Sequence, residues 1–144
     1  MRRVLAVCLI GLAGCEQSPP RPVVLEQKAP EQLDREALED LIAAGGDPKA
    51  AQTLRHVLFF PSAQKAQQAA PALEVLGYKV TLRRSPSAPP GRQFLIHAET
   101  TAVPSLEYLQ RSRASLGQLT RKVGGVYDGW ELLVASGSDA GVVR

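Results

Sequence analysis

Cysteine, histidine, methionine and aromatic residues are all scarce in this chain of 144 residues. Two cysteines and two histidines leave little material for a thiolate metal site, which usually needs about four ligands, and they cannot make a disulfide-rich scaffold. Aromatic residues reach only 5%, with a single tryptophan. The N-terminal apolar run, Val4 to Leu12, is far shorter than the roughly 20 residues a membrane-spanning helix needs. Charge of one sign is also lacking. Lys and Arg number 17 against 14 Asp and Glu, so the formal net charge of +3 is a weak hint of a polyanionic partner. What remains is 44% apolar and 22% charged, a globular balance at a length that suits one domain.

The N-terminus reads as an address. Met1-Arg2-Arg3 is cationic, and the apolar run from Val4 to Leu12 has the length of a secretory h-region and no amphipathic period. Leu12-Ala13-Gly14-Cys15 then resembles the lipobox of a bacterial lipoprotein, a branched apolar residue and two small ones before the cysteine. By that resemblance residues 1–14 are removed and Cys15 carries lipid. Glu16, a residue other than Asp after the cysteine, favours the outer membrane. Losing Arg2 and Arg3 leaves 15 positive against 14 negative side chains, so most of the basic character belongs to the leader. Residues 15–33, with Pro19, Pro20, Pro22 and Pro30, read as a Pro-rich tether. Residues 34–135 are the expected domain and residues 136–144 a flexible tail.

Within the domain, Asp34 is the expected N-cap of a first helix, with Ala37, Leu38, Leu41 and Ile42 at helical spacing and Gly45-Gly46 as its stop. The acids Asp34, Glu36, Glu39 and Asp40 read as its solvated face. Arg55 to Phe60 is rich in strand formers. Pro61-Ser62 opens a second helix with Ala66, Ala69, Ala70 and Leu73 on one face, and Pro71 is expected to kink or break it near Ala70. Alternation at Tyr78, Val80 and Leu82, and again at Phe94, Ile96 and Ala98, marks two strands around a long loop. Pro104 suits the first turn of a third helix, whose inner face carries Leu109, Ser112, Leu116, Leu119 and Val123. Gly124-Gly125 stops it, and Val126 to Val134 makes the last strand. A helix followed by β-α-β-β-α-β predicts the α+β class: a ferredoxin-like sandwich, four antiparallel strands with two helices on one face.

No catalytic constellation is visible. His56 and His97 each lie in an apolar strand, outside any nucleophile elbow or zinc-ligand pattern. Gly124-Gly125 follows a helix and so offers no N-terminus to a phosphate. The RNA-recognition motif shares this strand order, but Arg92-Gln93-Phe94-Leu95-Ile96-His97 holds one aromatic and no glycine motif. Arg83, Arg84 and Arg92 cluster around the long loop, a solvated rim on the simplest reading. The informative stretch is Gly124-Gly125-Val126-Tyr127-Asp128-Gly129-Trp130-Glu131. Asp128-Gly129 can form a turn or bulge, and Trp130 supplies a large anchor whose indole N–H needs an acceptor. Tyr127, Asp128, Trp130 and Glu131 are candidate partner-binding residues. For Trp130 the alternative is a purely structural role.

This stretch resembles the RraB family, the regulators of ribonuclease E activity. The helix ending at Gly46-Asp47, the strand Arg55 to Phe60, and Gly77-Tyr78-Lys79-Val80 after an alanine-rich helix agree in outline over residues 34–135. The resemblance implies a ferredoxin-like module that is not an enzyme, needs no cofactor or metal, and inhibits RNA decay by binding ribonuclease E away from its catalytic centre. The chain departs from that pattern in its leader, in lacking an acidic tail or linker, and in Pro71. The expected function is therefore a non-catalytic protein-binding regulator, lipid-anchored in the cell envelope through Cys15, with an unidentified protein partner and no direct contact with nucleic acid. The alternatives are a cytosolic inhibitor of ribonuclease E, should the leader not be processed, and a small-ligand sensor.

Overall fold

The structure is a computed structural model that describes residues 28–133 and 142–143. Cys15, Glu16 and the leader lie outside the described residues, as does Val134.

Eight elements follow in order: α1 (Pro30–Ala43), β1 (Gln52–Phe60), α2 (Ala63–Val75), β2 (Lys79–Arg84), β3 (Phe94–Ala102), α3 (Leu106–Lys122), β4 (Val126–Leu133) and β5 (Val142–Val143). The sheet runs β2-β3-β1-β4-β5, antiparallel throughout. Its first four strands have the ferredoxin-like order, with β3 inserted between the two strands that α2 connects. Val142–Val143 fall in the span expected as a tail, and they pair with Leu132 and Leu133.

Period-two burial along β1 defines two faces. Leu54, His56, Leu58 and Phe60 are fully buried beneath the helices, and Arg55, Val57 and Phe59 are only partly covered. The main core joins Leu58, Phe60, Ile96 and Ala98 of the sheet to Ala66, Ala69 and Leu73 of α2 and Leu116 of α3. A second cluster, Leu41, Leu54, Leu109 and Leu132, fastens α1 beside α3.

Three local expectations need correction. Helix α1 starts at Pro30, four residues before Asp34, so part of the expected tether is helix. Proline suits the first helical position because its fixed φ is already helical and it has no N–H to leave unpaired. The carboxylate of Asp34 therefore caps nothing and is 1% exposed, not part of a solvated face. Second, α2 runs through Pro71 to Val75, since Ala69 and Leu73 on either side are buried against the sheet and Pro71 itself faces solvent. Third, Pro104 precedes α3, and Ser105 is its N-cap, accepting from the Tyr108 N–H at 3.1 Å.

Candidate functional site

The glycines that end α3 have different tasks. Gly124 takes φ +79°, a left-handed turn that glycine adopts without strain. Gly125 lies so close to β1 that an added Cβ would stand 2.6 Å from the Phe60 ring and 2.7 Å from the Phe59 carbonyl oxygen. This close approach delivers Val126 to the sheet edge next to β1.

Strand β4 then bulges. Gly129 faces Val57 and Tyr127 faces Leu58, so Asp128 is the extra residue and Gly129 takes φ +139°. The bulge divides the motif between the two faces of the sheet.

On the helix face, the Trp130 indole N–H donates to Asp34 Oδ1 at 2.7 Å. Arg113 of α3 grips the same carboxylate with two bonds, Nη2 to Oδ1 at 2.6 Å and Nε to Oδ2 at 3.2 Å. Its guanidinium lies 5.6 Å from the centre of the Tyr127 ring. The Tyr127 hydroxyl in turn meets His56 Nδ1 at 2.9 Å, and the Tyr78 ring stands edge-on to His56 at 5.6 Å. Burial, assisted by the positive charge of Arg113, lowers His56 to about 4. Burial also pushes Tyr78 up to about 12 and raises Tyr127 further still. Tyr127 and Trp130 thus use their polar atoms inside the molecule, tying together α1, α3, β1 and β4.

On the open face, Arg55 reaches both neighbouring strands, to Glu99 Oε1 at 2.8 and 2.9 Å and to Glu131 Oε1 at 3.2 Å. Farther along, Arg92 pairs with Asp128 at 3.2 Å and lies 5.4 Å from the centre of the Phe59 ring. Between these ion pairs and the loop from Ser85 to Arg92 lies a groove of about 670 Å³. Val57, Phe59, Leu95 and His97 line it from the sheet. His97 Nδ1 is buried without a hydrogen-bond partner among the described residues, and burial followed by the charge of Arg55 lowers its pKa.

Asp128 and Glu131 therefore border the open face, whereas Tyr127 and Trp130 belong to the buried network. Sequence reasoning missed Asp34, Arg113 and Arg55 as partners. Arg113 carried one usable signal: it follows Leu109 by four residues, next to the inward stripe of α3. Among the described residues no group of three or more His, Cys, Asp or Glu is placed to hold a metal ion, and no helix is long and apolar enough to cross a membrane.

The sequence profile described as regulator of ribonuclease activity B matches residues 31–132. The chain belongs to the RraB family. The match begins within α1 and ends within β4, so the RraB domain takes in α1, the bulge and the Asp34–Trp130 contact. A search of the curated proteins found no match.

Proposed function

We propose that this chain is a regulatory module that binds a protein partner without catalysing a reaction, held at the cell envelope by lipid on Cys15. The observation that carries the reading is the family match over residues 31–132, which makes it a relative of regulators of ribonuclease activity. The motif geometry supports it. Its inward residues brace the fold, and its outward residues Asp128 and Glu131 line a groove on the open face. The Leu12-Ala13-Gly14-Cys15 lipobox supports the anchor, and Glu16 favours the outer membrane.

The second reading is a cytosolic inhibitor of ribonuclease E, favoured by the family description alone. Fractionation of the tagged full chain, with in-cell cross-linking, separates the two. The envelope reading expects the chain in the membrane fraction, a Cys15→Ala variant that is unprocessed or released, and cross-links to an envelope protein. An unchanged distribution for Cys15→Ala together with cross-links to ribonuclease E would establish the cytosolic inhibitor instead.

A further inference from the structure

We infer that the open-face groove is the docking site, and that it takes an extended acidic peptide segment bearing an apolar anchor side chain. The inference rests on the protein-binding reading above and adds to it a surface and a partner chemistry.

Three observations carry it. The floor of the groove is aliphatic and aromatic: Val57, Phe59 and Leu95. Beside Val57 it stays uncovered because Gly129, directly across, has no side chain, and a Cβ there would meet nothing within 4 Å, whereas the Phe59 ring lies under the Arg92 guanidinium. An apolar side chain entering from a partner would find floor atoms on one side and the Ala88-Pro89 wall on another.

The charges are lopsided. On the β4 side, Asp128 pairs with Arg92, and Glu131 shares Arg55 with Glu99. On the β2 side, Lys79 and Arg83 pair in register with Glu99 and Leu95, which puts them on the open face, and neither makes an ion pair among the described residues. Arg92 stands at the same end, paired with Asp128. A carboxylate on an incoming chain gains attraction along that border, whereas a basic chain is repelled.

Peptide fits better than RNA. The aromatic ring of the groove floor already carries a guanidinium group, Arg92 over Phe59 at 5.4 Å. A base would have to displace that guanidinium to stack on the ring.

The test uses the detergent-solubilised full chain and fluorescein-labelled probes read by anisotropy. One peptide has a central leucine–phenylalanine pair flanked by glutamates. Its companions replace the glutamates with lysines or the central pair with alanines, and a uridine oligoribonucleotide completes the set. The glutamate peptide should bind. Arg83→Glu combined with Arg92→Glu should weaken it at least about tenfold, as should the alanine replacement. Lys122→Glu, the same kind of charge change at an exposed position of α3 outside the groove lining, should stay within about twofold. Both arginines are exposed, so circular dichroism should show an unchanged fold. No binding of the glutamate peptide, equal binding of the lysine peptide or RNA, or indifference to the arginine reversals would overturn the inference. In-cell cross-linking keeps the two ideas apart. A partner held equally by the wild type and the double reversal sinks the groove and leaves the protein-binding reading standing. No partner for the wild type sinks the reading itself.

Discussion

At Asp34, one carboxylate accepts from an indole 96 positions away and two guanidinium N–H groups 79 positions away. Removing it strands the Arg113 charge and leaves the indole N–H without its acceptor. Asp34→Ala should therefore cost about 2–4 kcal/mol in equilibrium urea unfolding. Adding Arg113→Leu should restore part of that loss, because no charge is then stranded. His56 sets a pH dependence. Its folded value of about 4 lies below the ordinary 6.5, so the unfolded chain binds more protons between those limits. The His56 contribution should be full above pH 6.5, fall by roughly 3 kcal/mol on acidification toward pH 4, and level off below. His97 is lowered in the same direction, so His56→Phe should flatten the profile of urea midpoints without abolishing its slope. The need of Trp130 for an acceptor was legible in its chemistry. The identity of the acceptor was not, because Asp34 had an equally good local explanation as a cap. Local spacing carries no information about a partner in another helix.

The elements themselves were far more legible. Period-two alternation located the two strands around the long loop, and the 3-4 spacing of Leu109, Ser112, Leu116 and Leu119 located α3, because burial on one face imposes those periods. The failures were at ends and interruptions. Pro30 began a helix that its neighbours Pro19 to Pro22 suggested was tether. Pro71 did not stop α2, because packing of Ala69 and Leu73 outweighs one missing hydrogen bond. The penalty is still present, so Pro71→Ala should raise stability by about 1–3 kcal/mol in the same unfolding assay. Gly125 works the other way. Its close approach to Phe60 leaves no room for a methyl group, so Gly125→Ala should lose about 1–3 kcal/mol and lower the melting temperature. The bulge at Asp128–Gly129 was readable as a local device. Which side chain it would send to each face depended on the register with β1, and only the folded sheet provides that.

At the scale of the whole domain, the described residues form a sheet with one face covered by three helices and the other left open among them. The conspicuous eight-residue motif serves both faces, since Tyr127 and Trp130 brace the helical side and Asp128 and Glu131 border the groove. A sequence motif of this kind reads as a single site, yet the bulge makes it two. The basic cluster of Arg83, Arg84 and Arg92 is a solvated rim on sequence grounds. The register sends Arg84 to the helix face over Phe94 and leaves Arg83 and Arg92 at the end of the open groove, where they give it a charge preference. The central claim is that this module works by holding a protein on its open face. The most direct measurement places a photo-cross-linking amino acid in the full chain in the cell, at Leu95 on the groove floor or at Gln68 on the exposed side of α2. A discrete protein adduct is expected from position 95, lost when Arg83 and Arg92 are reversed to glutamate, and none from position 68. Adducts from position 68 with none from position 95 would contradict that claim.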